Sequence, residues 1–150
     1  MSTASERALV ETILRRNRYL VLATTDGEVP WVAPLEYMVD DDLNFYFFST
    51  DDSRHVRDLE SNARVAVAVF EHEQGEYAPD ASLTLNGVQI DAVVHRVAPE
   101  GYTTDITAAI EALTPPMPPY AVFKIEPRHF YLPKIADGVN LRTEVVMRAD

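Results

Sequence analysis

Strand-length runs of apolar and aromatic residues recur along this chain, with turn-forming residues between them. The first three cover residues 19–25, 30–39 and 43–48, and the turn signals Asp26-Gly27 and 40–42 separate them. Consecutive strands joined by turns this tight indicate an antiparallel meander. The later runs that predict strands cover residues 64–71, 82–97, 120–125, 129–132 and 141–147.

Prolines and one glycine predict where these strands are irregular. Pro30 and Pro34 carry no amide hydrogen, so the strand over 30–39 should be bulged or should lie at a sheet edge. Gly87 should kink the long strand that contains it. Pro127 should separate the two short strands that flank it.

Helical periodicity appears in two places away from the strands. Residues 3–17 predict an amphipathic helix, with Thr3 or Ser5 in position to cap it. Its apolar stripe consists of Leu9, Val10, Ile13 and Leu14. A later helix should begin at Pro99 and run through residues 104–113.

A mainly β fold follows from this pattern. Antiparallel strands in such number usually close on themselves, because closure removes exposed edges. We therefore expect an antiparallel split β-barrel of six to eight strands with two or three peripheral helices. A chain of 150 residues fits one such domain, over 1–150.

Composition excludes several classes of function. The formal charge of −11 opposes binding to nucleic acid or to an anionic membrane, and no apolar run is long enough to cross a bilayer. Without cysteine there is no disulfide or thiolate metal site, and the four histidines lack metal-ligand spacing. Glycine-rich phosphate loops and a G-x-S-x-G motif are also absent. A cytoplasmic protein without a metal site is the expectation.

The segment after the third run, S-T-D-D-S-R-H-V-R-D-L-E-S-N, concentrates groups that bind anions. Ser53 is placed to cap a short helix, with Arg54 and His55 in its first turn. A helix N-terminus offers unpaired N–H groups and the positive end of the helix dipole. With the hydroxyls of Ser49 and Thr50, these groups could form a phosphate pocket. The alternative is a solvated helix whose basic residues balance the neighbouring aspartates.

The order of these segments adds a resemblance. A helix is followed by L-V-L-A-T-T-D-G, V-A-P-L-E-Y, D-D-L-N-F-Y-F-F-S-T and S-R-H-V-R-D-L-E-S-N-A-R-V-A-V. This order resembles the flavin-binding split barrels related to pyridoxamine 5′-phosphate oxidase, most closely over residues 7–72. That family has S-R-K and then N-x-L-x-x-N-P-R-V after the third strand. Here Ser53-Arg54-His55 and residues 58–65 occupy those places.

The resemblance implies an FMN at the interface of a homodimer that acts as an oxidoreductase on a small substrate. Arg54 and His55 would hold the FMN phosphate, and the second strand would border the flavin ring. No catalytic residue is named, because the flavin would carry the redox chemistry. The cofactor-binding residues implied are Trp31, Val32, Ala33, Pro34, Leu35, Glu36, Phe48, Ser49, Thr50, Ser53, Arg54, His55 and Ser82.

Three departures from the family pattern leave alternatives open. His55 replaces the motif lysine, Trp31 stands where the oxidase has arginine, and the arginines that bind the oxidase's substrate phosphate are not recognisable. Oxidation of pyridoxamine phosphate itself is therefore not expected. One alternative is an F420-dependent reductase, although only Arg57 and Arg64 could add positive charge for its acidic tail. The other is a non-catalytic flavin- or haem-binding protein, which the replacement by His55 favours.

Overall fold

The computed structural model describes residues 2–71, 86–113, 120–136 and 139–147. Across those residues it contains eight strands, three α-helices and a short 3₁₀ turn. The strands are β1 (Tyr19–Thr25), β2 (Pro30–Glu36), β3 (Met38–Val39), β4 (Phe45–Ser49), β5 (Arg64–Glu71), β6 (Asn86–Val97), β7 (Ala121–Ala136) and β8 (Val139–Val145). The helices are α1 (Ala4–Arg16), α2 (Arg54–Ser61) and α3 (Thr104–Glu111), and the 3₁₀ turn is Pro99–Gly101.

The strands form one antiparallel sheet that curls into a half-barrel, which confirms the predicted fold class. Their order is β2-β1-β5-β6-β7-β4-β3, and β8 pairs with β7 beside this path. The outermost strands of that order, β2 and β3, are joined in the chain by Tyr37 alone. Since one residue cannot span an open sheet, the two ends of the sheet must curve toward each other until they meet at Tyr37.

Tyr37 connects the two end strands of the sheet, and two contacts fix its side chain. The ring lies edge-on to Phe45 with centroids 5.1 Å apart. The hydroxyl donates a hydrogen bond of 2.6 Å to the carbonyl oxygen of Leu14, near the end of α1. Burial and the charge of Glu71 raise the pKa of the Tyr37 hydroxyl to about 12.

The predicted meander is wrong, because the run over 30–39 is two strands rather than one. β2 pairs with β1, whereas β3 and β4 form a hairpin at the opposite end of the sheet order. Among the described residues, β2 has no second partner strand. This confirms the edge position predicted from Pro30 and Pro34, neither of which can donate to a ladder.

Pro127 does not end its strand, because a bulge accommodates it. β7 continues through this proline, and its register with β6 shifts between Asp91 and Ala92. Asp91 faces His129 and Ala92 faces Pro127, so Arg128 is the extra residue. No bulge interrupts β6 at Gly87, which pairs in register with Phe70, and residues 82–85 of the predicted strand lie outside the described residues.

Helices α1 and α3 begin where threonine side chains cap them. Thr3 forms a capping box with Glu6 at the start of α1. The predicted apolar stripe is wrong at Leu9, which is 40% exposed, while the other three members are buried. Pro99 begins the separate 3₁₀ turn rather than α3, because Thr103 caps α3 afresh through the N–H of Ile106.

The barrel interior is apolar and is closed by helices. Phe45 and Phe47 of β4 are at most 1% exposed, and Phe47 stacks on Phe123 of β7 at 5.1 Å. Val56 inserts α2 into the same core and is also 1% exposed. Within the described part of the chain, no helix has the length and apolar character needed to cross a membrane.

Candidate functional site

Helix α2 is attached to the barrel by polar contacts at two of its buried side chains. His55 Nε2 lies 2.8 Å from the hydroxyl of Ser49, the last residue of β4. One turn later, Asp58 accepts a hydrogen bond of 2.8 Å from the hydroxyl of Thr24 in β1. These bonds tie one short helix to strands that stand second and sixth in the sheet order.

Helix α2 crosses the β1–β2 ladder at Thr24 and its cross-strand partner on β2, and this residue pair is one rung of the ladder. The cross-strand partner of Thr24 is Trp31. Arg54 and Asp58 are four residues apart and therefore project from the same side of α2. Asp58 meets Thr24 on this rung, and Arg54 meets Trp31, with the guanidinium carbon 4.6 Å from the ring centroid.

The guanidinium of Arg54 keeps its hydrogen-bond donors unused. Across residues 2–71, 86–113, 120–136 and 139–147, its side chain makes no hydrogen bond, and no carboxylate lies within 4.0 Å of it. The nearby carboxylate is Asp26. Hydrogen bonds from the N–H groups of Val29 and Glu28 lower the pKa of Asp26, and the positive charge of Arg54 lowers it further. Arg54 is thus a cation available to a ligand.

The first turn of α2 is not capped by a side chain. Ser53 occupies the N-cap position as predicted, but its hydroxyl donates to the carbonyl oxygen of Thr50 at 2.9 Å, so the predicted cap bond is wrong. The threonines before α1 and α3 do cap their helices. Among the described residues, no side chain therefore accepts a hydrogen bond from the first N–H groups of α2.

His55 points inward and is 9% exposed. Its ring lies edge-on to Phe47 at a centroid distance of 6.0 Å, and Nε2 contacts the hydroxyls of Ser49 and Ser53. Burial lowers the pKa of His55 below 6.5, and the charge of Asp58 opposes this only in part. At neutral pH the ring is uncharged, so Arg54 is the positive charge that the first turn offers.

The residues predicted on β2 divide between the two faces of the strand. Ala33 is buried, and Trp31 and Leu35 lie on the same side of the strand. Val32, Pro34 and Glu36 are exposed on the other side. The six residues therefore cannot all line one cavity within a single protomer.

The other predicted residues have mixed surroundings. Phe48 is half-buried at the end of β4. The hydroxyl of Thr50 donates to Asp52 at 2.5 Å, and the carboxylate of Glu36 pairs with Arg18 at 2.5 Å. Ser82 lies outside the described residues.

Sequence reasoning did not single out the outer face of β2, β1 and β5 as a continuous surface. The ladder registers place apolar side chains of all three strands on one side of the sheet. Val32, Phe70 and Tyr19 are 60%, 57% and 64% exposed. This outer apolar face consists of Tyr19, Val21, Ala23, Val32, Pro34, Ala66, Ala68 and Phe70. The signal was the run R-V-A-V-A-V-F, which is apolar on both faces of its strand.

A cleft of about 770 Å³ lies elsewhere, between the β3–β4 turn, the bulge of β7 and the end of β8. Cations such as Lys124 and Arg128 mix there with carboxylates such as Glu126 and Glu144. None of the predicted site residues that the structure describes lines it. Nor do the described residues contain a group of three or more side chains suited to hold a metal ion.

Comparison with known proteins gives a family and a fold. A family model described as pyridoxamine 5′-phosphate oxidase matches residues 7–133. A search of curated proteins finds no match.

Solved structures share the fold at low sequence identity. A haem-binding protein from Mycobacterium smegmatis superposes with a TM-score of 0.67 at 18% identity, over 98% of this chain and 59% of that one. A FAD-binding protein from Mesorhizobium loti has a TM-score of 0.62 at 22% identity, covering 85% and 91% of the two chains. The haem storage protein HutZ from Vibrio cholerae has a TM-score of 0.60 at 18% identity, covering 85% and 92%.

Proposed function

Because the chain belongs to the pyridoxamine 5′-phosphate oxidase family, we propose that it binds FMN at the interface of a homodimer and acts as an oxidoreductase on a small substrate. The observation that carries this proposal is the guanidinium of Arg54, which has no carboxylate partner among the described residues, beside the uncapped first turn of α2. Open N–H groups and a guanidinium form a donor set that suits a phosphate monoester. We expect the protein to act in the cytoplasm.

The outer apolar face supports the homodimer. Exposed apolar surface of this extent usually marks an interaction site, and homodimers commonly bury such faces against a second copy. Val32 and Pro34, which are implied to border the flavin ring, lie on this face. A ring bound there would be enclosed by the second subunit rather than by a cavity within one protomer.

In this proposal the residues of the chain bind and orient, and bound FMN supplies the redox chemistry. Arg54 and the first N–H groups of α2 hold the phosphate. Trp31, on the same inner side of β2 as Ala33 and Leu35, contacts the side chain of Arg54. The subunit contact excludes water. No side chain is assigned as an acid, base or nucleophile.

Charge favours FMN over F420. Arg57 donates to the carbonyl oxygen of Asp52 at 2.8 Å, and Arg64 lies 3.8 Å from Asp91. Both additional cations are therefore engaged, whereas Arg54 is unpaired among the described residues. A single available cation suits one phosphate better than the longer acidic tail of F420.

A second candidate function is binding without turnover, and the state of His55 favours it. A neutral, buried imidazole holds phosphate less firmly than the lysine of the family motif. Two of the structural relatives are a haem-binding protein and a haem storage protein. Under this reading the protein would store or sense a flavin or haem.

The test is a titration of the purified protein with FMN, followed by flavin fluorescence. Arg54→Ala should weaken binding roughly 10- to 100-fold, because a hydrogen bond to a charged group contributes about 1.5–3 kcal/mol. Arg57→Ala, on the same helix, is the matched control and should bind almost as the parent does. Riboflavin, which lacks the phosphate, should bind the parent and Arg54→Ala equally. Equal FMN affinity in the parent and Arg54→Ala would remove Arg54 from the site.

Two further measurements separate the parts of the proposal. Val32→Asp should convert a dimer to a monomer in light scattering, whereas Leu9→Asp, a change at an exposed apolar residue of α1, should not. Mass spectrometry of the molecule released on denaturation distinguishes FMN, F420 and haem. Bound flavin that NADH and NADPH fail to reduce, with candidate acceptors present, would favour binding without turnover.

A further inference from the structure

The indole of Trp31 contacts the guanidinium of Arg54. The guanidinium carbon lies 4.6 Å from the centroid of the indole, within the range of a cation–π interaction. The indole is 41% exposed, so the stack lies at the protein surface rather than in the core. The guanidinium lies over the face of the indole, and none of its N–H donors is hydrogen-bonded to a described residue.

The position of the indole is set by the ladder and by α2 together. Trp31 pairs with Thr24, and Thr24 is bonded to Asp58, one turn after Arg54 on the same side of α2. The rung that carries the indole therefore also holds the helix that carries the guanidinium. This arrangement brings the two groups together before any ligand binds.

Asp26 competes for the same guanidinium. It lies in the β1–β2 turn and is close enough for the charge of Arg54 to lower its pKa, yet it is not within ion-pair distance. A long arginine side chain that is not held elsewhere would be drawn to this carboxylate. An ion pair with Asp26 would occupy donors that an anionic ligand needs.

We infer that Trp31 is a positioning residue: its indole holds Arg54 away from Asp26, with the guanidinium donors directed to the ligand phosphate. The inference rests on the proposed function, since it concerns the same phosphate site. It assigns a role to the position at which this chain departs from the arginine of the oxidase.

The experiment compares FMN and riboflavin affinity in the parent, Trp31→Leu and Trp31→Phe by flavin fluorescence. Trp31→Leu should weaken FMN binding about 3- to 30-fold, the range of a cation–π contact between exposed and desolvated sites. Trp31→Phe keeps an aromatic face and should recover part of the loss. Riboflavin affinity should not change. Tyr131→Leu removes a similar stack, with Arg142 at 4.6 Å, and is the matched control.

Adding Asp26→Asn to Trp31→Leu provides a readout that a merely structural role would not produce. Without the competing carboxylate, FMN affinity should return toward the parent value. The sole tryptophan offers a second readout: Arg54→Ala should change Trp31 emission in the ligand-free protein. Unchanged Trp31 emission in Arg54→Ala would show that the guanidinium does not lie over the indole, and it would overturn the positioning role.

The outcomes distinguish this inference from the proposed function. If the parent binds no FMN, the proposed function fails. If Arg54→Ala loses FMN while Trp31→Leu binds like the parent, only the positioning role fails. If Trp31→Leu weakens FMN and riboflavin equally, the indole contacts the ring directly and the positioning role is overturned.

Discussion

Replacing Thr24 with valine should destabilise the protein through the bond that holds α2 on β1. Thr24 and Asp58 are 3% and 5% exposed, so water cannot replace the lost donor. Valine has nearly the same shape and leaves no cavity. The change therefore isolates one hydrogen bond of 2.8 Å to a carboxylate. Hydrogen bonds to charged groups contribute about 1.5–3 kcal/mol, and the added buried methyl group offsets part of the loss. The expected net decrease in the free energy of unfolding is about 1–2 kcal/mol.

The assay is urea unfolding at fixed protein concentration, because association of subunits would otherwise shift the midpoint. A decrease of about 2 kcal/mol should lower the midpoint by roughly 1 M at an m-value of about 2 kcal/mol/M. Asp58→Asn retains a carbonyl acceptor and should lose less. Thr143→Val in β8 is the control, since the hydroxyl of Thr143 makes no hydrogen bond to the described residues. A midpoint for Thr24→Val within 0.2 M of the parent, about 0.4 kcal/mol, would refute the reasoning.

Two other predictions concern pH. Burial lowers the pKa of His55 below 6.5 in the folded protein, so the unfolded chain binds the proton first as the pH falls. The stability that neutral His55 contributes is therefore complete above about pH 6.5. It is lost as the pH drops through the folded pKa. His55→Gln should flatten this acid decline in urea unfolding between pH 7.5 and 5; an unchanged slope would contradict it. The pKa of Tyr37 is raised to about 12, so its contribution is complete below about pH 10 and is lost between about pH 10 and 12. Tyr37→Phe should cost about 1 kcal/mol at pH 7 through the bond to Leu14 and should reduce the alkaline decline in stability; a parent-like decline above pH 10 would count against this reading.

The local sequence pattern was sufficient to predict those elements whose structure depends on neighbouring residues in the chain. The bounds of β1 and β5 and the place of Arg54 in the first turn of α2 were all predicted from periodicity and capping positions. Pairing partners were not predictable in the same way. Nothing between Leu35 and Val39 marks Tyr37 as the residue where the chain leaves one end of the sheet and enters the other. That change depends on contacts with α1 and β4, which are distant in sequence.

The candidate site divides along the same line. The concentration of hydrogen-bond donors around Ser53 and Arg54 could be predicted from the sequence. The direction of His55 was not, because it depends on how α2 is rotated against Ser49 and Phe47. The outer apolar face likewise required the ladder register, since alternating alanine and valine fit a strand buried on one side or on both.

Helix α2 is bonded at one point to β1 and at another to β4, which the sheet order separates by three strands. It therefore spans the split of the barrel, and separating the two sides requires both bonds to break or the helix to detach. A phosphate held at its first turn would slow that opening from outside the core. Amide hydrogen exchange in β1 and β4 should then slow together when ligand binds. This is expected although, among the described residues, no strand of the β1–β2 hairpin pairs with a strand of the β3–β4 hairpin.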